Sequence, residues 1–462
     1  MDKYKNIPSV TALLKKEAIT GLIDNVGEVP VKEAIRQYLA SLRKSIAEGA
    51  SVPDEEEILS SISTLTAAIN GDGFKGVINS TGVILHTNLG RSPLGDKLLD
   101  SIRPLLTGYS NLEFDLEKGK RGSRYTHVKD LLKTITGAED ILVVNNNAAG
   151  VILALSAFCQ GGEVIISRGE LVEIGGSFRL PDIMEFSGCK LVEVGATNKT
   201  KIADYEKAIT ENTKAILKVH KSNFAQIGFT HECEIPELSA LCKKHNIPLF
   251  YDQGSGLLRK PANLPLDKEP DVQTSVKEGA DLVMFSCDKL LGGPQGGILA
   301  GKKHLIARLS KTPLLRAIRI SKMDLAAMTW VCKQYLNDET LKANVPIFSI
   351  MDRKTAELQK SAKELAAKIS KTGYKCEVVE SSGYPGGGTL PDLEIPSYSV
   401  ALKFDGSNKS KKEQAEKLFY KLLLAEEPVV AVLREGELQF DVLTLFSGQD
   451  EKIASALKEL KE

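Results

Sequence analysis

The sequence has little cysteine and no closely spaced cysteine pair. Its seven cysteines among 462 residues are scattered, and no two of them form a C-x-x-C motif. An odd number of scattered cysteines argues against a disulfide framework, and no group of His, Cys and Asp has the spacing of metal ligands. We therefore expect no metal site and a reducing compartment.

Long hydrophobic runs are also missing. The longest candidate, residues 148–159, is shorter than the roughly 20 residues that a membrane helix needs. The start, MDKYKNIPSV, lacks the apolar stretch of a signal peptide. We therefore expect a cytoplasmic protein that does not associate with a membrane.

Neither sign of charge is in excess. Lys plus Arg number 60 and Asp plus Glu number 60, so the formal net charge is zero. This balance excludes binding to polyanions through bulk charge, although a neutral total can still be divided into basic and acidic faces. The length allows about three domains at roughly 150 residues each.

The pattern along the chain predicts three domains. Residues 1–70 repeat apolar positions at three and four spacing, as in TALLKKEAITGLI and VKEAIRQYLASLRKSI, and predict an N-terminal helical domain. Residues 71–335 alternate short apolar runs with helical stretches and predict a large α/β domain. Residues 336–462 predict a small α+β domain, in which Glu435 and Gly436 turn a hairpin.

Seven nearly continuous apolar runs mark the strands of the large domain. Such runs predict strands that are buried on both faces of a mostly parallel sheet. The runs are ILVVN (141–145), EVIIS (163–167), KLVEV (190–194), AILKV (215–219), PLFYD (248–252), DLVMFS (281–286) and GGILA (296–300). Because such sheets bind ligands at the carboxyl ends of their strands, the polar residues after each run are the candidate site.

Lys289 follows one of these buried strands in a segment that is poor in charge. A desolvated lysine amine can become a nucleophile and form a Schiff base, although a single lysine can equally be an ordinary surface residue. Ser286 can offer a hydroxyl to a phosphate, and Asp252 can keep a pyridinium nitrogen protonated. The turn at Asn146, Asn147 and Ala148 opens a helix whose amides can hold that phosphate. Pyridoxal phosphate needs this set of groups.

Arginines provide a second indication. Five arginines stand in loops or at helix starts: Arg91, Arg121, Arg124, Arg316 and Arg319. Guanidinium groups in such places suit phosphate-like anions. The alternative is that each arginine forms a salt bridge at the surface. His220, at a strand end, can stack on the cofactor ring or polarise a leaving group, but a structural histidine fits equally well. No P-loop and no G-x-G-x-x-G motif between a strand and a helix offers another phosphate site.

Several strings resemble the bacterial selenocysteine synthases, the L-seryl-tRNA(Sec) selenium transferases, which are fold-type I pyridoxal-phosphate enzymes. The similarity runs through nearly the whole chain. The strings are INSTGVILHTNLGRSPL (78–94), YSNLEFDLEKGKRGSRYTHV (109–128), VVNNNAAGV (143–151), ISRGELVEIGGSFRLPDIM (166–184), EVGATNKTK (193–201), KVHKSNF (218–224), SCDKLLGGPQGG (286–297) and GGGTLP (386–391).

The resemblance implies a role for each candidate residue. It makes Lys289 the cofactor lysine, Asp252 the pyridinium partner, and the turn at 145–148 with Ser286 the phosphate site. It makes four of the arginines the holders of selenophosphate, some of them reaching in from a neighbouring subunit; these are Arg91, Arg124, Arg316 and Arg319. It further implies a tRNA-binding N-terminal region, rings of dimers such as a decamer, and conversion of seryl-tRNA(Sec) to selenocysteinyl-tRNA(Sec) by β-elimination of water through an aminoacrylyl-tRNA.

Two residues depart from the family pattern. Cys287 stands where the family has glycine, and we expect it to be a small buried residue. Gln253 replaces a small or apolar residue, so contacts beside the cofactor ring can differ.

Two other functions stay open at the level of sequence. One is a pyridoxal-phosphate lyase that acts on a small amino acid or an amino-sugar phosphate without tRNA, since the arginines suit such a phosphate too. The helical N-terminal region argues against it. The other is a non-catalytic tRNA-binding protein, which the presence of Lys289, Asp252 and Ser286 disfavours.

Overall fold

The structure is a computed structural model that describes residues 7–71, 73–174, 178–386, 388–434 and 436–461. By its internal contacts the chain divides into two compact units, Met1–Val77 with Leu424–Pro428, and Ile78–Leu423 with Val429–Glu462. The predicted domain boundaries at residues 70 and 335 stay predictions. In the described ranges, no helix is both long and apolar enough to cross a membrane.

The first unit is helical, as the repeat of apolar residues predicts. Its helices are α1 (Val10–Leu13), α2 (Glu17–Val26), α3 (Glu28–Ala47) and α4 (Glu55–Asn70). Their apolar faces form one core that includes Ile19, Ile35 and Ile62, each fully buried. The side chain of Asp54 accepts a hydrogen bond from the amide of Glu57 at 2.9 Å and so caps the start of α4.

A seven-stranded sheet forms the centre of the second unit. Its strands lie in the order β4-β12-β11-β10-β9-β5-β8. They are β4 (Asp140–Val144), β5 (Glu163–Ser167), β8 (Lys190–Val194), β9 (Thr213–Val219), β10 (Leu249–Gly254), β11 (Leu282–Ser286) and β12 (Gly297–Gly301). Only β12 runs antiparallel to its two neighbours within this sheet, which confirms the predicted, mostly parallel arrangement.

The predicted burial is wrong for one strand. Six of the seven strands are almost wholly buried, but β8 exposes Lys190 and Glu193. The reason is its position, since β8 lies at the edge of the sheet and pairs only with β5 there. Lys190 donates a hydrogen bond from its ammonium group to Glu163 at 2.8 Å, which suits a solvated edge.

Fifteen α-helices are described in the second unit, and several of them pack on this sheet. They are α5 (Asp96–Thr107), α6 (Thr126–Thr136), α7 (Asn147–Phe158), α8 (Leu180–Phe186), α9 (Ile202–Ala208), α10 (Ile235–His245), α11 (Val272–Lys277), α12 (Lys303–Leu309), α13 (Leu314–Ala317), α14 (Lys322–Gln334), α15 (Asp338–Asn344), α16 (Pro346–Met351), α17 (Thr355–Lys371), α18 (Asn408–Leu423) and α19 (Gln449–Glu459). Helix α7 contacts β4, β11 and β12, and its first turn lies at the carboxyl end of β4.

A second sheet of five strands carries the C-terminal part of the chain. Its order is β1-β15-β16-β14-β13, with β1 (Ile78–Ser80), β13 (Lys375–Gly383), β14 (Ile395–Lys403), β15 (Val429–Arg434) and β16 (Glu437–Asp441). The sequence does not predict that β1 pairs with β15, more than 340 residues away. Two further sheets have two strands each. One pairs β2 (Phe114–Asp115) with β3 (Lys120–Arg121), and the other pairs β6 (Glu173–Ile174) with β7 (Phe178–Arg179).

Some quoted motifs fall partly outside the described residues. The residues of these motifs that are not described are 175–177, Gly387 and Glu435. The strands on either side of the predicted turn at Glu435 do pair antiparallel, with Arg434 opposite Glu437.

A buried carboxylate holds the five-stranded sheet together. Asp441 accepts hydrogen bonds from three serine hydroxyls, on Ser381 at 2.6 Å, Ser397 at 2.8 Å and Ser399 at 3.1 Å. It also accepts one from the amide of Leu443 at 2.8 Å. These four donors come from β13, β14 and the segment after β16, so one side chain joins three parts of the sheet.

Replacing Asp441 by alanine should lower the free energy of unfolding by about 3 kcal/mol, because several buried donors lose their acceptor. Urea unfolding measures this change. Asp405→Ala is the matched control, since that exposed carboxylate pairs only with Lys375 on the surface and should matter by less than about 0.5 kcal/mol. Equal unfolding midpoints for the two variants would contradict the role of Asp441.

Candidate active site

Three adjacent strands bring the main candidate residues to one edge of the central sheet. His220 follows β9, Asp252 lies in β10, and Ser286 ends β11. These strands are parallel neighbours, so their carboxyl ends meet at the same edge. The amide of His220 donates to the carbonyl of Asp252 at 2.9 Å, which fixes the two residues side by side.

Lys289 lies three residues beyond β11 and is 4% exposed. Its pKa is lowered, first because burial disfavours the ammonium form and second because the Arg91 guanidinium repels it. Asp252, Asp288 and Glu269 oppose this shift without cancelling it. The amine is therefore more readily available in its neutral, nucleophilic form than an ordinary lysine amine.

A second buried lysine shows that burial alone does not produce this effect. Lys218 in β9 is 6% exposed. Burial also disfavours its charge, but Glu170 and Glu232 outweigh that cost and its pKa is raised. The Lys218 ammonium lies 3.2 Å from Glu170 and 3.7 Å from Glu232. Lys218 is held as a cation, whereas Lys289 has no comparable ion pair in the described structure.

Asp252 is buried and faces both the lysine and the helix start of α7. Asn147 donates a hydrogen bond from its side-chain amide to Asp252 at 2.8 Å. Burial raises the pKa of Asp252, against the lowering effects of the Asn147 hydrogen bond, Lys289 and His220. A buried carboxylate in this state favours a cationic partner such as a protonated ring nitrogen.

The first turn of α7 forms the predicted phosphate site. The side chain of Asn146 accepts a hydrogen bond from the amide of Ala149 at 2.8 Å and caps the helix. The amides of Asn147 and Ala148 belong to the helix start, where backbone N–H groups lack intrahelical acceptors. Gly297 of β12 runs so close that a Cβ there would lie 2.3 Å from the carbonyl oxygen of Asn146. The cap and this close approach fix the helix start beside β12.

Several buried polar atoms at this edge have no hydrogen-bond partner among the described residues. They are Asn147 Oδ1, Ser222 Oγ, Ser255 Oγ, Glu269 Oε1 and His86 Nδ1. The hydroxyl of Ser222 lies near Lys289, since a Cβ on Gly388 would be 3.4 Å from Lys289 Nζ and 3.8 Å from Ser222 Oγ. Sequence reasoning missed Ser222, Ser255 and Glu269. For the two serines, only their position within three residues of a strand end could have indicated them.

These groups fit pyridoxal phosphate. The amine of Lys289, the carboxylate of Asp252 and the start of α7 match the aldehyde, ring nitrogen and phosphate of that cofactor. The unpartnered hydroxyls and amide oxygen are what a polar ligand in this space would satisfy. Ser286 is 9% exposed and ends the strand that leads to Lys289.

His220 lies between the site and a cavity. Its Nε2 atom is 3.4 Å from Glu269 Oε1, and its side chain is 23% exposed. Glu269 itself is 1% exposed. The structure therefore places His220 beside a buried carboxylate at the entrance to the site, and its role stays a prediction.

Four of the five predicted arginines line one cavity of about 370 Å³ together with Glu113; they are Arg121, Arg124, Arg316 and Arg319. Glu113 pairs with Arg124 at 2.6 Å, Arg121 at 3.1 Å and Arg319 at 3.2 Å. The hydrogen bond from Arg124 lowers the pKa of Glu113 most, with smaller contributions from Arg319 and Arg121. Four guanidinium groups around one carboxylate leave this cavity strongly cationic.

Arg124 differs from its neighbours in this cavity. It is 7% exposed, donates from Nε and Nη2 to Glu113, and donates from Nη1 to the carbonyl of Ile320 at 2.5 Å. Ile318, two residues before Ile320, accepts a hydrogen bond from the amide of Asn145 at 2.9 Å. Arg124 therefore also supports the segment that joins the arginine cavity to the start of α7.

Arg91 lies apart from these four and beside Lys289. Its guanidinium is 2.7 Å from Asp288 and its backbone has a φ of 61°. The sequence groups Arg91 with the anion-binding arginines, and the structure adds a direct electrostatic effect on the lysine.

Comparison with known proteins identifies the family of this chain. Residues 77–446 match the family described as L-seryl-tRNA selenium transferase, and residues 4–43 match the selenocysteine synthase N-terminal family. The chain belongs to the L-seryl-tRNA selenium transferase family. It is an enzyme whose cofactor is pyridoxal phosphate.

Two relatives are named L-seryl-tRNA(Sec) selenium transferase, and each aligns with this chain over nearly its whole length. The L-seryl-tRNA(Sec) selenium transferase of Aquifex aeolicus (strain VF5) is 44% identical over 436 residues, 94% of each chain. That of Clostridium botulinum (strain 657 / Type Ba4) is 42% identical over 467 aligned positions, which span both chains completely.

One solved structure shows the fold. The structure of D-glucosaminate-6-phosphate ammonia-lyase superposes with a TM-score of 0.59 at 20% identity and covers 85% of this chain and 97% of its own. The selenium transferase chain thus has the predicted fold of the fold-type I pyridoxal-phosphate enzymes, with a mostly parallel central sheet and an N-terminal helical region.

The two departures from the family pattern have structural roles. Cys287 is buried as expected, its thiol lies 3.8 Å from the sulfur of Met328, and burial raises its pKa. Gln253 donates to the carbonyl of Pro270 at 2.6 Å and accepts from the amide of Gly256 at 3.0 Å. Both amide atoms of Gln253 are thus used to join two loops.

Replacing Arg91 by glutamine should raise the pKa of Lys289, because a repelling charge is lost and Asp288 is released to attract the ammonium form. The rate at which pyridoxal phosphate rebinds to the apoenzyme depends on the neutral amine. Its pH midpoint, followed by absorbance, should therefore move to higher pH. Arg91→Lys retains the charge and should keep the original midpoint. An unchanged midpoint in Arg91→Gln, or a shift to lower pH, would contradict this account.

Proposed function

We propose that this enzyme converts L-seryl-tRNA(Sec) to L-selenocysteinyl-tRNA(Sec) with selenophosphate as the selenium donor, by β-elimination of water. The observation that carries the proposal is the buried amine of Lys289, whose pKa is lowered by burial, together with buried Asp252 and a cationic cavity. The names of the full-length relatives support the same substrate.

Lys289 and Asp252 carry the proton transfers in this proposal. Pyridoxal phosphate, when bound, draws electrons from the Cα of the serine. Lys289 Nζ takes the Cα proton, and the Asp252 carboxylate keeps the ring nitrogen protonated. In this proposal His220 gives a proton to the hydroxyl that leaves Cβ as water, which its position directly after β9 beside Asp252 supports. The serine carboxyl is an ester, so it carries no charge and acidifies the Cα proton further.

The arginine cavity holds selenophosphate for the second half of the reaction. Arg316, Arg319 and Arg121 offer guanidinium groups that pair with phosphate oxygens in two parallel hydrogen bonds. Selenium then bonds to Cβ, Lys289 Nζ returns a proton to Cα, and water cleaves the P–Se bond to release phosphate. The backbone contact between Ile318 and Asn145 supports a donor position close to the cofactor.

The assembly and the cellular site belong to the same proposal. The N-terminal helical unit binds the tRNA, which the match to the selenocysteine synthase N-terminal family supports. The enzyme works in the cytoplasm as a homo-oligomer built from dimers, a decamer, in which some of the arginines Arg91, Arg124, Arg316 and Arg319 serve a neighbouring subunit.

A lyase that acts on a small phosphorylated amine is the second candidate. The cationic cavity of 370 Å³ would hold the phosphate of such a substrate as well as selenophosphate. The family match at residues 4–43 favours the tRNA substrate instead.

The test is the cofactor absorbance of the purified enzyme mixed with seryl-tRNA(Sec), with free serine and with neither. We expect a new absorbance band with the charged tRNA only, and no band in a Lys289→Ala control. Lys218→Ala is not a suitable control because that lysine pairs with Glu170 in the core.

An equal or larger response to free serine, without an effect of the tRNA, would contradict the proposal and favour the lyase. When selenophosphate is added after the tRNA, the band should decay and the released amino acid should be selenocysteine.

A further inference from the structure

His220 is anchored at the edge of the site through its backbone. Its amide donates a hydrogen bond to the carbonyl of Asp252 at 2.9 Å, and its own carbonyl accepts one from the amide of Ser222 at 2.9 Å. Its side chain, in contrast, is 23% exposed. Backbone contacts fix where a histidine lies but leave the direction and the tautomer of its ring open, so a side-chain partner has to set both.

A buried carboxylate lies beside that ring. Glu269 is 1% exposed, and its Oε1 atom is 3.4 Å from His220 Nε2. In the described structure this oxygen accepts no hydrogen bond of ordinary geometry, and Glu269 forms no ion pair with a lysine or an arginine. A buried carboxylate is costly without a donor, so the contact with His220 is the one that stabilises it. Contacts of this kind are often long without substrate and tighten in the complex.

The other carboxylates that act on His220 are already engaged. Glu232 lies 3.3 Å from the ammonium group of Lys221. Asp252 accepts a hydrogen bond from the side-chain amide of Asn147 at 2.8 Å. The carboxylate at 3.4 Å is therefore the one that remains for the histidine ring.

Strand β10 holds the chain around Glu269. The side-chain amide of Gln253, in β10, donates to the carbonyl of Pro270 at 2.6 Å. The amide of Glu269 closes a turn by donating to the carbonyl three residues earlier at 3.1 Å. Because Gln253 directly follows Asp252, this one strand fixes both the backbone contact of His220 and the partner of its ring.

His220 and Glu269 also line a cavity of about 500 Å³ that is distinct from the arginine cavity. The charged groups that line it are the carboxylates of Glu232, Asp267, Glu269 and Asp392 and the ammonium groups of Lys221 and Lys268. His220 thus has open space beside it. A ring next to open space can turn away from the site unless a fixed group holds it, and Glu269 is a fixed, buried group at contact distance.

We infer that Glu269 is a positioning residue that holds the imidazole of His220 in one tautomer and one orientation. When Nε2–H is directed at the carboxylate, Nδ1 is the nitrogen that exchanges a proton with the substrate. The inference rests on the proposed function, in which His220 protonates the leaving hydroxyl.

The proton balance of that step defines what Glu269 does. Lys289 removes the Cα proton, and the electron pair left behind forms the Cα=Cβ bond. The Cβ–O bond breaks, and the departing oxygen takes its electron pair together with the proton from His220 Nδ1, which gives water. The imidazole becomes neutral while its Nε2–H still donates to Glu269, so the ring keeps its direction throughout the step.

The first test compares the steady-state kinetics of Glu269→Gln, His220→Gln and the double variant with seryl-tRNA(Sec) and selenophosphate. Glu269→Gln keeps the side-chain volume but removes the charge, and it should lower kcat about tenfold with both KM values unchanged. His220→Gln should lower kcat about a hundredfold, because the acid itself is lost. The double variant should be no slower than His220→Gln, since Glu269 acts through that ring. Asp267→Ala is the matched control, because this exposed carboxylate of the same turn should leave kcat unchanged.

The second test examines the same contact without turnover. Diethyl pyrocarbonate acylates unprotonated imidazole nitrogens, and mass spectrometry of the cofactor-loaded enzyme follows the rate at His220. Acylation should be about threefold faster in Glu269→Gln, because Nε2 is no longer held by the carboxylate. The exposed His304 should react at the same rate in both proteins.

The two tests separate this inference from the proposed function. A normal kcat in Glu269→Gln, additive losses in the double variant, or equal acylation rates at His220 would each overturn the inference. A full kcat in His220→Gln would overturn it too, while turnover of seryl-tRNA(Sec) by the wild-type enzyme leaves the proposed function intact. If the wild-type enzyme does not respond to seryl-tRNA(Sec), the proposed function fails, and the acylation rates still decide the role of Glu269.

Discussion

The active site depends on the burial of one primary amine, which lowers the pKa of that amine. Burial makes the ammonium form of Lys289 costly, and Arg91 adds to that cost, while the nearby carboxylates are not close enough to pair with the lysine. The contrast with Lys218 shows what decides the outcome, since an equally buried lysine beside Glu170 remains a cation. Arg91, held on Asp288, therefore adds to the larger effect of burial in lowering the pKa of Lys289.

The strands and the residues at their ends could be predicted because their signals are local. Apolar runs predict the strands of the sheet. The residues that follow these runs, among them Lys289, Asp252 and Asn146, predict the chemistry of the site. Glu113 and Glu269 could not be predicted, since their importance comes from partners far along the chain. The pairing of β1 with β15 and the exposure of β8 likewise depend on the complete sheet.

Opposite electrostatics separate the spaces around the lysine. Arginines around Glu113 make one cavity cationic, whereas four carboxylates and two lysines line the cavity beside His220. The backbone hydrogen bond between Asn145 and Ile318 connects the arginine cavity to the start of α7. The contact between His220 and Glu269 connects the second cavity to the site.

Borohydride reduction of the purified enzyme, followed by mass spectrometry of its peptides, tests the central claim most directly. The account predicts that the phosphopyridoxyl group is found on Lys289 alone. A modified Lys218 or Lys221 would contradict it, as would an unmodified Lys289 in enzyme that contains a full complement of cofactor.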